Sequence, residues 1–290
     1  MNRIGIYYAY WEQNWSTDIF SYPKRVKQLG FDILEVKLSL ITQMSEHERN
    51  DLKLKAQEHT VELTFCDALT ENIDISSPDY TIRKRGIEYL KRGLDAIHKL
   101  GGSILGGVLY GAWNPPEEEW FHKQDRFKWS VESMRQVVKT AEDLGIICAI
   151  EAVNRYEHFL INTCFEALNY IKMVESPNLK IMLDTFHMNI EEDSIYNAIL
   201  LAGKDLGHLH IGETNRKPPG RGRFPWSELM RALRIIEYPG RIIMEPFVQV
   251  GGEIGRDIRV WRNLAEGWDL DKEAKEALLF VRALLSQPHL

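Results

Sequence analysis

In the second half of this chain, four short β-rich runs each end at or beside a side chain able to bind a metal ion. These are Glu151 (AIEAVNR), Asp184 (IMLDTFHMN), His210 (GHLHIGE) and Glu245 (IIMEPF). Three carboxylates brought to one point repel one another and lose hydration, so they call for a positive counter-charge. Three oxygens and one imidazole nitrogen suit a hard to borderline divalent ion such as Mn²⁺, Co²⁺ or Mg²⁺. The thiolates or several histidines of a structural zinc site are missing. The set contains no lysine or arginine to offset its own charge. If a six-coordinate ion takes one atom from each residue, two positions remain, and two adjacent positions suit a chelating α-hydroxy carbonyl. Any one of these carboxylates alone is more often a helix cap or a loop salt bridge. The metal reading rests on all four standing on consecutive strands.

Polar and aromatic residues accompany them. Glu157 shares the loop after Glu151, His187 follows Asp184 by three residues, and Arg216 lies in the loop after His210, in the basic stretch that runs to Arg223. They could fix sugar hydroxyls; alternatively, His187 caps a helix and Arg216 belongs to a solvated basic loop. Tyr7, Trp15, Trp113 and Phe247 fall at or just beyond strand ends, where aromatic rings can wall in the C–H faces of a sugar or serve simply as core.

Eight β-rich runs must position these residues: 4–8, 32–36, 61–65, 103–109, 146–150, 180–183, 208–211 and 241–244. Helical patterns separate them, with Ile87, Leu90, Leu94 and Ile97, and then Val131, Met134, Val138 and Ala141, three or four apart. Gly30, Gly101 and Gly145 stand where such patterns stop, the expected helix exit. Eight strand–helix units without a Pro/Gly/Ser-rich linker predict an α/β fold, one (β/α)8 TIM barrel over residues 1–290, with a doubly wound open sheet as the alternative. In such barrels the chemistry sits at the carboxyl-terminal mouth.

Composition narrows the partners. The 290 residues are 44% hydrophobic and 27% charged, with a net charge of −6, which excludes disorder and gives no field for nucleic acid or an anionic membrane. No apolar run approaches the ~18 residues that cross a bilayer, and the aromatic N-terminus does not read as a signal peptide, so a cytoplasmic location is expected. Cys66, Cys148 and Cys164, an odd number at wide spacing, are expected to be reduced thiols. No GxGxxG, GxxxxGK[ST] or GxSxG motif occurs at a strand end.

The segments GIYYAYWEQNW, GFDILEV, IEAVNRYEHFLINT, LDTFHMNIEEDS, GHLHIGETNRKPPGRGRFPW, IIMEPFVQVGG and VWRNLA resemble the ketose 3-epimerase family, of the D-tagatose and D-psicose (D-allulose) 3-epimerase type. The resemblance implies a homodimeric or homotetrameric barrel that uses Mn²⁺ or Co²⁺ to invert C3 of a free ketose through a cis-enediolate. Carried over by motif, Glu151, Asp184, His210 and Glu245 correspond to the metal ligands, and Glu151 and Glu245 to the acid/base pair. Glu157, His187 and Arg216 correspond to the residues that hold the O1 and O2 end of the sugar. Tyr7, Trp15, Cys66, Trp113 and Phe247 correspond to pocket-lining positions.

Lys37 departs from the family's small or polar residues at its position. It should share an inward face with Glu35, two residues before it, and either pair with Glu35, extend to solvent, or reach the C4 to C6 end of a sugar. Rival readings are an aldose–ketose isomerase or inosose dehydratase on the same barrel, and a sugar-phosphate epimerase using the basic stretch from Arg216 to Arg223. A catalytically silent sugar-binding protein is a rival of a different class.

Overall fold

The computed structural model describes residues 2–115 and 122–287. Eight parallel strands close into a barrel in chain order: β1 (Ile4–Tyr7), β2 (Ile33–Lys37), β3 (Glu62–Leu69), β4 (Ile104–Ala112), β5 (Ile147–Glu151), β6 (Leu179–Asp184), β7 (Leu206–Ile211) and β8 (Ile242–Met244). The ring closes where β1 pairs with β8, with Gly5 opposite Ile243. This is the expected TIM barrel, and the open-sheet alternative is excluded because a doubly wound sheet keeps two edges.

Among the described residues eleven α-helices lie between and after the strands: α1 (Tyr22–Leu29), α2 (Leu38–Gln43), α3 (Glu46–Glu58), α4 (Tyr80–Leu100), α5 (Lys123–Leu144), α6 (Cys164–Val174), α7 (Thr185–Glu191), α8 (Ile195–Ala202), α9 (Trp226–Ile235), α10 (Gly252–Asp257) and α11 (Leu270–Ser286). The periodic residues of α4 and α5 are buried against the strands, as the three- and four-residue spacing requires. Gly30, Gly101 and Gly145 follow α1, α4 and α5 in the left-handed conformation, and their N–H groups close the last helical turn.

Two apolar layers result. The larger lies between the strands and the helices. A small one inside the barrel joins Cys66, Ile104, Ala149 and Met182 and forms the floor beneath the mouth. Gly106 belongs to this floor, because a Cβ there would come within 2.7 Å of the Met182 sulfur.

The strands end farther along the chain than expected on one side. β3 continues past Phe65 to Leu69, and β4 past Leu109 to Ala112, with a register shift between Ala68 and Leu69. Gly107 permits this. Its φ is +112°, and a Cβ there would lie 2.1 Å from the Asp67 carbonyl oxygen. The close approach lets β3 carry Cys66 and Asp67 up to the mouth. Gly107→Ala should therefore cost at least about 2 kcal/mol, combining a backbone clash with a strained φ, as measured by chemical denaturation. An unchanged midpoint would show that the two strands can separate without penalty.

Candidate active site

Glu151 is the last residue of β5, Asp184 the last of β6, His210 the next-to-last of β7, and Glu245 directly follows β8. The barrel brings them together: one ligand atom from each lies within 4.8 Å of all the others. Asp184 and His210 are almost fully buried, while Glu151 and Glu245 line the cavity above them.

The orientation of His210 comes from below. Its Nε2–H faces Glu35 Oε1, and His208 Nε2 lies 2.7 Å from Glu35 Oε2, which also accepts the Thr64 hydroxyl at 2.9 Å. Glu35 is fully buried on β2, across the interior from β7. Burial pushes its carboxyl up, but the His210 and His208 rings outweigh this and hold it well below the usual carboxylate range. With Nε2 committed to Glu35, His210 Nδ1 turns toward the acidic cluster. It is buried, makes no hydrogen bond, and lies 3.4 Å from Glu245 Oε1. A buried imidazole nitrogen without a hydrogen bond, facing three carboxylates, is what a cation site needs, so the residues present fit a divalent ion. Burial disfavours the imidazolium, but Glu35 and Glu245 overcome it and hold His210 well above its ordinary value in the metal-free protein.

A guanidinium also enters the cluster. Arg216 Nη1 lies 3.2 Å from Asp184 Oδ2 and 3.4 Å from Glu245 Oε2, and Nη2 lies 3.5 Å from Glu157 Oε1. The ligand set lacks a basic residue, yet the following loop supplies one, so the expected charge imbalance is partly offset from within the chain. Arg216 adopts a left-handed backbone (φ 61°), inside a turn where its N–H donates to the Glu213 carbonyl. The buried Glu213 carboxylate anchors that loop by accepting from the N–H groups of Gly220 and Phe224 and from the Trp226 indole. The guanidinium packs over the Phe186 ring with its carbon 3.8 Å from the centroid, an apolar seat for a weakly hydrated cation. The solvated-loop reading of Arg216 is thus overturned. Arg221 of the same basic stretch turns outward to Glu273 and Glu276 and does not join Arg216 in a phosphate cradle.

His187 and Glu157 form a second tier through Asn154. The Asn154 backbone N–H and side-chain amide lie 3.2 and 2.7 Å from His187 Nδ1, which therefore accepts, leaving the proton on Nε2. Nε2 lies 3.8 Å from both Glu151 Oε1 and Asp184 Oδ2. Burial lowers the His187 pKa, against the pull of the Glu157 carboxylate. Glu157 accepts from the Trp113 indole and the Asn154 amide, each at 2.9 Å. Burial opposes its ionisation, but His187 and Arg216 bring it down to about 2. Glu151 behaves oppositely: burial and the Glu245 charge raise it well above the usual range, the environment of a proton-carrying acid.

An open cavity lies above the cluster. Tyr7, Trp15, Cys66, Trp113 and Phe247 all line it, as expected of pocket-wall residues. Asp67, Ala68, Val108, Val153 and Ile258 also line it and were not singled out from the sequence. Asp67 escaped notice because β3 was expected to end at Phe65. His208 was missed as well, although the two-residue spacing of His208 and His210 on one strand already placed both rings on one face. Of the alternatives open to Lys37, the pair with Glu35 is not formed: the Glu35 oxygens are taken by Thr64, His208 and His210, and Lys37 lines the cavity. Cys66, Cys148 and Cys164 are free and buried.

Comparison with known proteins follows this geometry. The profile of the xylose isomerase-like TIM barrel family matches residues 23–283. The D-psicose 3-epimerase of Ruminiclostridium cellulolyticum is 46% identical, with 98% of each chain covered. That of Agrobacterium fabrum is 42% identical over 98% of this chain and 99% of the relative. A crystal structure of D-psicose 3-epimerase with D-tagatose from Clostridium cellulolyticum H10 superposes with a TM-score of 0.96 over 99% of this chain and 100% of that one, at 46% identity.

If Glu35 sets the direction of His210, Glu35→Gln should weaken Mn²⁺ binding by about 10–100-fold, read by calorimetric titration, since the amide cannot accept from both imidazoles with equal strength. An unchanged Kd would show that His210 is oriented by packing alone.

Proposed function

From the premise that this chain belongs to the xylose isomerase-like TIM barrel family and, within it, to the ketose 3-epimerases, enzymes of the isomerase class, we propose that it inverts C3 of a free ketose of the D-fructose/D-psicose or D-tagatose/D-sorbose type. The observation that carries this reading is the convergence of Glu151, Asp184, His210 and Glu245 beneath an open cavity, with a buried His210 nitrogen turned toward the carboxylates. Those four residues would hold Mn²⁺ or Co²⁺, with Mg²⁺ as a further candidate. The resemblance supports a homodimer or homotetramer, the eight strand–helix units without a linker support a single domain over residues 1–290, and the aromatic N-terminal pattern supports a cytoplasmic location.

A divalent ion, when bound, supplies positive charge that polarises the C2 carbonyl and makes the neighbouring C3–H acidic. The chain's own residues do the rest. Glu151 and Glu245 approach from β5 and from the end of β8, so they can act on opposite faces of the sugar. One carboxylate takes the C3 proton to give a cis-enediolate, and the other returns a proton to the opposite face. Each such transfer accounts for roughly 10²–10⁴ in rate. Glu157, ionised, accepts from a hydroxyl at the O1 end, while His187 through its Nε2–H and cationic Arg216 donate toward O1 and O2. Tyr7, Trp15, Trp113 and Phe247 exclude water from the C–H faces, and Cys66, whose thiol burial keeps protonated, packs beside them.

Exhaustive chelation should abolish epimerisation and lower the melting temperature, with Mn²⁺ or Co²⁺ restoring both. Full turnover at a metal content near zero would refute the metal assignment.

Glu151→Gln and Glu245→Gln should each reduce kcat by at least about 100-fold at matched metal content. In heavy water, the wild-type product should carry deuterium at C3; label at C1 would instead indicate aldose–ketose isomerisation.

A further inference from the structure

The cavity is chemically divided. Glu151, Glu157, His187, Arg216 and Glu245 line its β5–β8 side, whereas Lys37 and Asp67 bring charge to the wall built by β1–β4. In a closed ring of eight strands, β2 stands diametrically across from β6. Lys37, the last residue of β2, therefore faces the cavity from the side opposite Asp184. A ketose whose C2 and C3 lie over the acidic cluster extends its far end toward Lys37.

The ammonium is held in place. Lys37 Nζ lies 4.0 Å from the centroid of the Trp15 ring, a cation–π contact. Trp15 is itself fixed, its indole N–H donating to Asp257 Oδ2 at 2.8 Å and its backbone N–H to Glu253 Oε2 at 3.3 Å. Among the described residues Nζ makes no hydrogen bond or close salt bridge, so its N–H donors are available to a ligand in the cavity. Lys37 pairs in register with Cys66, and the next residue, Asp67, adds a carboxylate to the same wall and accepts from the Tyr89 hydroxyl.

We propose that Lys37 is a specificity-determining residue: its ammonium donates to the terminal hydroxyl of a six-carbon ketose, so that the enzyme selects sugars bearing a free O6. A neutral hydroxyl fits better than a phosphate or carboxylate, because Lys37 shares its wall with the Asp67 carboxylate, which partly offsets the ammonium. This rests on the epimerase reading above, and its test separates the two.

The experiment compares kcat/KM of the Mn²⁺-loaded enzyme for D-fructose, 6-deoxy-D-fructose and D-fructose 6-phosphate, in the wild type and in Lys37→Met, which keeps an unbranched side chain without donors. The wild type should prefer D-fructose over its 6-deoxy analogue by at least about tenfold, the loss expected for one hydrogen bond from a charged donor, mainly through KM. Lys37→Met should lower D-fructose to the level of the 6-deoxy sugar while leaving that sugar within about twofold. Equal turnover of both sugars by the wild type overturns the proposal, whether or not the variant folds. An equal loss on both sugars in Lys37→Met, or a preference for the 6-phosphate, also overturns it and leaves epimerisation standing. Turnover of none of the three sugars overturns the epimerase reading and this inference together.

Discussion

A carboxylate at the centre of a barrel, out of reach of water, is tolerated only if its charge and its lone pairs are met by the protein. Glu35 satisfies this with two imidazoles and a hydroxyl, and the arrangement of the site follows from it. Because its oxygens bind the Nε2 atoms of His208 and His210, the tautomer and ring direction of His210 are decided from beneath, and Nδ1 is left facing the mouth. The same contact ties β2 to β7 through the interior, at the level of the small floor built on Met182. Removing the Glu35 charge would leave two buried rings without an acceptor, which is why this residue cannot be exchanged for an apolar one of similar size in isolation.

Above that floor the excess of acidic side chains is managed by distance and by one guanidinium. Arg216 reaches Asp184, Glu245 and Glu157, and its left-handed backbone is stabilised by the Glu213 knot beneath the loop. The loop after β7 therefore acts as part of the site. The acidic cluster and the Lys37 wall lie on opposite sides of the ring and are carried by different strands.

Much of this was legible in the chain. Period-two and period-3.6 patterns, with glycines at helix exits, specify eight strand–helix units, and eight such units without a linker close into a barrel because only closure removes the edges of the sheet. Once the strands are placed, Glu151, Asp184, His210 and Glu245 fall at their carboxyl ends, and parallel strands in a closed ring have no choice but to bring those ends to one mouth. What could not be read locally were the partners of each group. Nothing in the vicinity of Glu35 indicates two histidines some 175 residues away, and nothing near Arg216 shows that its side chain turns inward while Arg221 turns outward. The extension of β3 to Asp67 depends on Gly107 of the neighbouring strand, a close approach between chains that neither strand encodes alone. The sequence by itself determined the order of the elements and the residue types at the mouth, because those depend on short-range periodicity. The tertiary structure alone decided which nitrogen of His210 is free, which acids Arg216 offsets and that Lys37 stands against Trp15, because each of these is settled by packing between strands distant in the chain.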